Sequence, residues 1–317
     1  MSVTSRWRLV LARVVGAAVA VGSVLGVGLV SLPAASAGAT AAPGSGFWLV
    51  GQDGGVFAFG SAAYLGGPNT VPPDVCMAPV ATAPIDCAGI AATPDGHGYW
   101  VFSTEPPFET GGWVGMVAGF GSAGPPRAPD PLGGLNAGIV GSATGPDDAA
   151  VWLAGADGGV FALGDALFYG SAVGLRLNAP VVAMASTPDG KGYWLVAADG
   201  GVFAFGDAAF YGSASGLHLV QPVVGVARTH DGRGYWLVSR DGGVFAFGDA
   251  AFAGSSAGAE GVEPPVVGIA ADPSGSGYWT VTNDGVVLSF GGAPLLGDLH
   301  DVPLAAAIVG IAAVPLG

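Results

Sequence analysis

The sequence predicts an all-β protein: a six-bladed β-propeller with four strands per blade, whose first blade is closed by the C-terminal strand. Three observations predict this fold. A unit of about 42 residues recurs along the chain, its apolar stretches are rich in Val, Phe, Tyr and Trp, and the two ends of the array are complementary parts of one unit. Four short strands in a repeat of this length are typical of a propeller blade.

One tryptophan marks each copy of the repeat, and we expect its side chain to pack in the core. The six positions are Trp48, Trp100, Trp152, Trp194, Trp236 and Trp279. No stretch between them has a long helical period, which excludes a helical solenoid.

The copy that begins near residue 179 shows the first half of the unit. An apolar strand is predicted at residues 181–186, and a turn at Thr187-Pro188-Asp189-Gly190 follows it. Proline presets one backbone dihedral of such a turn and glycine relaxes another. The second strand is predicted at residues 193–197.

The second half of the same copy begins with a hairpin signal, Asp199-Gly200-Gly201. The third strand is predicted at residues 202–205. A Gly-Asp turn at residues 206–207 leads to a fourth strand at residues 209–213. A loop then enters the next copy.

The ends of the array explain how six blades are completed. The chain enters the repeat at residues 46–50, which match the second strand, and the first strand is missing there. Residues 308–313 match the first strand, and no second strand follows them. Pairing the two ends would complete the first blade and cover two sheet edges that would otherwise favour aggregation.

The N-terminal residues are typical of a secretory signal peptide. Three arginines precede an apolar stretch at residues 14–32, and Ala35-Ser36-Ala37 supplies a small-x-small cleavage site. An uncleaved membrane anchor is the alternative. We expect a secreted, extracellular or cell-envelope-associated protein with no membrane span after cleavage. The predicted organisation is a signal peptide at 1–37, a short linker at 38–45 and the propeller at 46–317.

The charge of the chain is acidic, with a formal net charge of −14. Loss of the three N-terminal arginines would move it to −17. Such a surface repels nucleic acid and anionic lipid. The charge either keeps an exported protein soluble or attracts cations or a basic partner.

The two cysteines, Cys76 and Cys87, are expected to form one disulfide outside the cytoplasm. Metal binding by these thiols is not favoured, because no histidine or further cysteine lies near them in the sequence.

The repeat resembles that of secreted bacterial β-propeller proteins with the unit D-G-G-V-F-A-F-G-D-A-x-F-Y-G-S. The unit stands here at residues 157–171, 199–213 and 241–255 and is degraded near both ends of the array. The resemblance covers about residues 46–313 and implies the propeller architecture, with no catalytic residue to transfer. The turn at residues 187–194 also resembles the Asp-box of sialidase propellers, which is structural in those enzymes.

Two interruptions of the repeat map to one rim of the predicted propeller. One lies at about residues 68–86. The other replaces the Asp-Gly-Gly turn of the second blade. In the latter, Trp113 and Phe108 could stack on a sugar ring or hold a peptide, while Glu105 and Glu109 accept hydrogen bonds. The alternative is that both aromatic side chains cover the core of the second blade.

These features favour a non-catalytic extracellular binding or scaffold module with a glycan or protein partner. A lectin-like or glycan-active protein of the glycoside hydrolase type is the alternative. No cofactor is implied. The hairpin aspartates could bind calcium. The simpler alternative is that each carboxylate accepts a hydrogen bond from the backbone of its own turn. A glycosidase needs a pair of carboxylates, and the sequence shows no such pair that can be distinguished from these turn aspartates.

Overall fold

The structure is a computed structural model that describes residues 44–68, 87–105, 113–123, 132–147, 149–258 and 265–315. The predicted signal peptide and most of the predicted linker lie outside these ranges. Within them, no helix has the length and apolar character needed to cross a membrane.

The described residues form nineteen β-strands. The first six are β1 (Gly46–Gly51), β2 (Val56–Gly60), β3 (Cys87–Ala92), β4 (Gly98–Glu105), β5 (Trp113–Gly121) and β6 (Leu132–Leu135). The next six are β7 (Ile139–Thr144), β8 (Ala150–Gly155), β9 (Val160–Gly164), β10 (Val181–Ser186), β11 (Gly192–Ala197) and β12 (Val202–Gly206). The last seven are β13 (Val223–Arg228), β14 (Gly234–Ser239), β15 (Val244–Gly248), β16 (Val266–Ala271), β17 (Gly277–Thr282), β18 (Val287–Gly291) and β19 (Ile308–Ala313).

These strands form six antiparallel sheets. The first sheet has the order β19-β1-β2, so its strands come from both ends of the array. Trp48 lies opposite Ala312 in this sheet, and Leu49 lies opposite Ile311. The second sheet is β3-β4-β5-β6, and the other four each take three consecutive strands. All-β architecture built from a repeated sheet is therefore confirmed.

The middle strand of each three-stranded sheet is the most deeply buried. In the fourth sheet every residue of β11 is buried, and the same holds for β1, β8, β14 and β17. Both faces of such a strand are apolar because each sheet has a neighbour on either side. The six repeat tryptophans are at most 5% exposed, which confirms their predicted place in the core.

Aromatic pairs that contain a repeat tryptophan join five of the six sheets to the next, while Trp100 of the second sheet packs in one cluster with Val151 of the third. Trp194 of the fourth sheet lies 5.6 Å, ring centroid to ring centroid, from Tyr235 of the fifth. The equivalent pairs are Trp48–Tyr99, Trp152–Tyr193, Trp236–Tyr278 and Trp279–Phe47. The last pair joins the sixth sheet to the first. Aromatic pairs at these separations stabilise an interface beyond the area they bury.

The first strands of the sheets contact one another in succession. The contacts run from β3 to β7, β10, β13 and β16 in turn. They continue from β16 to β19 and from β19 back to β3. Glycine at the third position of five of these six strands permits this close approach. A Cβ at Gly310 would lie 3.4 Å from the Cα of Gly89, and one at Gly268 would lie 3.0 Å from the Ile311 side chain.

The predicted fourth strand is not a strand in the fourth sheet. Residues 209–213 have no strand assignment, although they follow β12 after a turn at Gly206. Side chains hold them instead. The Trp194 indole donates to the carbonyl of Ala209 at 2.8 Å, and the Tyr235 hydroxyl donates to that of Gly212 at 2.6 Å. This outer segment therefore bonds to a side chain of its own sheet and to one of the next sheet, without adding a strand to either.

The second sheet is the exception among the described residues, because it contains a fourth strand. Its β4 and β5 are longer than their counterparts in the other sheets. The added length lets β6 pair with β5, with Trp113 opposite Leu135. Among the described residues, the predicted four strands are therefore found only in the second sheet, where the hairpin is extended.

Candidate functional site

The sheets give the molecule two distinct rims. The upper rim, as defined here, contains the hairpin turns after the second strands and the loops between sheets. There the amide of Ala214 donates to the carbonyl of Gly200 at 2.9 Å, and that of Ala198 donates to Pro180 at 2.9 Å. The lower rim contains the turns that follow the first strands.

The lower-rim turn of the fourth sheet shows why the repeat contains Thr-Pro-Asp-Gly. The Thr187 hydroxyl donates to the Asp189 carboxylate at 3.0 Å and accepts from the amide of Gly192 at 3.0 Å. A hydrogen bond from the Lys191 side chain, 2.9 Å away, is the main factor that lowers the pKa of Asp189 to about 2. The predicted turn is confirmed, and its polar groups are paired with one another.

The sixth sheet has the same turn with its two polar residues exchanged. Asp272 occupies the threonine position and Ser274 the aspartate position. The Asp272 carboxylate is 2% exposed and accepts hydrogen bonds from the hydroxyls of Ser45 at 3.2 Å, of Ser276 at 2.8 Å and of Ser274. A hydrogen bond between a hydroxyl and the Asp side chain is kept, so the buried polar group has partners.

A cavity of about 490 Å³ lies where the six first strands meet the lower-rim turns. We call it the inner cavity. Every sheet contributes to its lining. The last residues of the first strands supply Ala92, Thr144, Ser186, Arg228, Ala271 and Ala313. The turns supply Pro94, Pro146, Pro188, His230, Pro273 and Pro315.

Hydroxyl groups in this lining bond to the neighbouring strand. Thr144 donates from Oγ1 to the carbonyl of Ala92 at 2.9 Å, and Ser186 donates from Oγ to that of Thr144 at 2.7 Å. One hydroxyl differs: Ser142 Oγ is buried and has no hydrogen-bond partner among the described residues. Two of the four hydroxyl-bearing residues of the lining therefore join neighbouring sheets.

Arg228 interrupts this series in the fifth sheet. Its Nη1 donates to the carbonyl oxygens of Thr229 and His230, both at 3.1 Å, and these acceptors are neutral. Burial lowers the pKa of Arg228 below the usual value for a guanidinium. The side chain nevertheless stays charged, because arginine loses its proton only at extreme pH. The inner cavity thus contains a cation.

Sequence reasoning did not single out Arg228, although a signal was present. Five copies have Ala, Thr or Ser at this position, and only the fifth has a charged residue there. In the same copy His230 replaces the turn proline, and both residues line the cavity. A column-by-column comparison of the six copies would have found the pair.

Trp113, predicted as a ligand-stacking residue, is half-buried at the start of β5. Its six-membered ring packs over Gly138, because a Cβ at Gly138 would lie 3.2 Å from Cε3 and Cζ3 of Trp113. The ring also packs against the cluster formed by Phe102, Leu135, Ile139 and neighbouring residues. These contacts match the alternative in which Trp113 covers the core of the second sheet.

The other predicted site residues lie at the ends of the described ranges or outside them. Glu105 ends β4, and nothing is known of its side chain, while Phe108 and Glu109 lie outside the described residues. Cys87 begins β3 and is 3% exposed. Its predicted partner, Cys76, also lies outside the described residues, so the disulfide stays a prediction.

The hairpin aspartates of the upper rim bond to their own turns. Asp199 Oδ1 accepts from the amide of Gly201 at 2.9 Å, and Gly200 has a left-handed φ of 81°. The same bond forms at Asp53, Asp157, Asp241 and Asp284. Within the described ranges, no group of three or more His, Cys, Asp or Glu side chains is placed to hold a metal ion.

No protein-family model matches the chain, and no curated protein matches it. The resemblance to secreted propeller-repeat proteins therefore stays a prediction from the repeat unit.

Proposed function

We propose that the six sheets are the blades of a closed six-bladed propeller. Two observations support this. The strands β1 and β19, from opposite ends of the repeat array, pair with each other. The sixth sheet also packs on the first through Trp279 and Phe47, whose ring centroids are 5.3 Å apart. Each blade then has three strands and an outer segment, with a true fourth strand in the second blade.

We further propose that the protein is a non-catalytic binding module whose ligand site is the inner cavity. The observation that supports this most directly is the volume of about 490 Å³, lined by all six sheets. Ligand pockets of proteins commonly have volumes of about 300–1,000 Å³ and a largely apolar lining with a few polar groups. The inner cavity lies in this volume range, and alanine, isoleucine, valine and proline side chains line it together with the charged Arg228.

The upper rim near the first two sheets remains a second candidate for binding an extracellular glycan or protein. The amide of Cys87 donates to the carbonyl of Gln52 at 2.9 Å, so β3 begins beside the first hairpin turn. The interruption before β3 therefore ends on the same rim as the interruption between β4 and β5. This second proposal includes a lectin-like role for Trp113, and it requires that the protein is secreted.

A crystallographic fragment screen distinguishes the two sites. Crystals of the protein without residues 1–37 would be soaked with a library of small polar and aromatic compounds. We expect bound fragments to concentrate in the inner cavity. Fragments found repeatedly at the upper rim beside Trp113, with none in the cavity, would overturn the proposal and support the lectin-like alternative.

A variant with a smaller cavity provides the matched control. Ala271 lines the cavity at the position that Arg228 occupies in the preceding sheet, so the backbone there accommodates a larger side chain. We expect Ala271→Leu to fold and to lose fragment binding in the cavity. Unchanged binding by this variant would show that the compounds bind elsewhere.

A further inference from the structure

Arg228 is a cation of the inner cavity that no described carboxylate neutralises. Its two hydrogen bonds, at 3.1 Å, go to neutral backbone carbonyls and use only Nη1. The ion pairs found among the described residues join other side chains: His97 with Asp95, Lys191 with Asp189, and Arg233 with Asp231. The Nε and Nη2 donors of Arg228 have no acceptor among the described residues.

Among the described residues, a single carboxylate lines the same cavity, and its hydrogen bonds go to groups other than Arg228. Asp272 accepts hydrogen bonds from three serine hydroxyls and forms no ion pair with Arg228. The remaining ionisable group of the lining is His230, whose carbonyl, rather than its ring, bonds to Arg228. A partly desolvated cation of this kind is stabilised when an anion reaches it.

We infer that the inner cavity binds a small monocarboxylate, whose carboxylate group pairs with the guanidinium of Arg228. The inference rests on the proposed function and names the ligand class of that site. A guanidinium presents its free N–H groups in a planar fork, which matches the two oxygens of a carboxylate. The ligand would add the acceptors that Nε and Nη2 lack.

The rest of the lining indicates what the carboxylate is attached to. Ile90, Met184, Val226, Ile269 and Ile311 give the cavity an apolar wall above the lower-rim turns. One guanidinium neutralises one negative charge, and a dianion such as phosphate would leave excess negative charge near Asp272. The cavity therefore fits an aliphatic or aromatic acid, or the C-terminal carboxylate of an apolar peptide.

The repeat supplies substitutions that the fold tolerates. Ser186 occupies the position of Arg228 in the preceding copy, so Arg228→Ser introduces a residue that this structure already accommodates there. Arg228→Lys keeps the charge without the planar fork. Arg240→Ser is the matched control, because Arg240 is exposed on the upper rim of the same sheet.

Isothermal titration of the protein without residues 1–37 tests the inference. The probes are hexanoate and benzoate, their neutral amides, inorganic phosphate, and acetyl-trialanine with a free or an amidated C-terminus. We expect the acids to bind and the amides and phosphate to bind at least tenfold more weakly. Loss of a charge-assisted hydrogen bond weakens binding by roughly 10- to 100-fold, and we expect this from Arg228→Ser. Arg228→Lys should be intermediate, and Arg240→Ser should match the unmodified protein.

The outcomes separate this inference from the proposed function. Equal affinity for hexanoate in Arg228→Ser, together with loss of binding in Ala271→Leu, would overturn the carboxylate inference and leave the cavity as a site. Equal binding of acids and amides, preference for phosphate, or binding of none of the acids would also overturn it. Hexanoate binding that survives Ala271→Leu would count against the cavity itself. The two peptides distinguish a free acid from a peptide terminus as the source of the carboxylate.

Discussion

The Tyr193 hydroxyl donates to the carbonyl oxygen of Gly170 at 2.6 Å and accepts a hydrogen bond from the amide of Tyr169 at 3.1 Å. Tyr193 belongs to the fourth sheet, and the other two residues follow the third. The same arrangement recurs at Tyr99, Tyr235 and Tyr278. One side chain thus satisfies two backbone groups of the preceding outer segment and fixes that segment to the next sheet.

Removing this hydroxyl should weaken the contact between the two sheets. Tyr193→Phe leaves a half-buried amide and carbonyl without their partner, so we expect a loss of about 1–3 kcal/mol in the free energy of unfolding. Urea denaturation would measure it. Tyr169→Phe is the control, because the Tyr169 hydroxyl makes a single hydrogen bond, to Gly190. A larger loss in the control than in Tyr193→Phe would contradict the assigned role.

Alkaline pH should destabilise the protein through the same tyrosines. Burial raises the pKa of Tyr99, Tyr193, Tyr235 and Tyr278 above the ordinary value of 10.0. The fold therefore favours the neutral phenol. This contribution to stability is fully present below the pKa of the unfolded chain, and it is lost as pH rises through that value towards the raised pKa of the folded state.

Melting temperatures recorded between about pH 8 and pH 11 would test this, since the decrease should begin near the unfolded-state pKa of about 10. Tyr193→Phe, which removes one of the four groups, should make the decrease shallower. A melting temperature that stays constant through this range would rule out a role for tyrosine ionisation.

Close approach of the last strand to the second sheet should depend on Gly310. A Cβ there would lie 3.3 Å from the Val50 side chain and 3.4 Å from the Cα of Gly89. We expect Gly310→Val to cost about 1–3 kcal/mol, because overpacking forces neighbouring strands apart. Gly216→Val is the control, since a Cβ at Gly216 meets nothing within 4 Å. Equal stability of the two variants would show that the first strands are not tightly packed there.

Deleting the chain from Ile308 onwards should have a larger effect than any point substitution. The deletion removes β19 and leaves Phe47, Trp48 and Leu49 of β1, all buried in the intact protein, beside an open sheet edge. We expect cooperative unfolding at a much lower temperature by circular dichroism. An unchanged melting curve would disprove the proposed closure of the propeller.

Trp113 should act mainly on stability. Its ring packs over Gly138 and against the core of the second sheet, so we expect Trp113→Ala to cost about 1–3 kcal/mol, less than a fully buried tryptophan. Phe168→Ala, at a position 60% exposed, should change stability little. An unchanged melting temperature in Trp113→Ala, together with loss of a signal on a glycan array, would instead support the lectin-like role.

Several features of the fold followed from the sequence because they depend on local chemistry. The Thr-Pro-Asp-Gly and Asp-Gly-Gly turns form as predicted, since aspartate and threonine bond to the backbone within a few residues. The repeat tryptophans are buried as expected. The matching halves at the two ends of the array predicted that residues 46–50 and 308–313 belong to one sheet, and these segments pair.

Two other features were decided only by the tertiary structure. The outer segments, predicted as strands from their composition, bond through Trp194 and Tyr235 side chains to groups that are distant in sequence. The cavity, and the charge of Arg228 that no carboxylate among the described residues neutralises, likewise arise where six separate strands converge. Sequence alone determined the repeat, its turns and its apolar strands, because these depend on neighbouring residues. Only the packing of whole sheets decided which backbone groups meet and which side chains line the cavity.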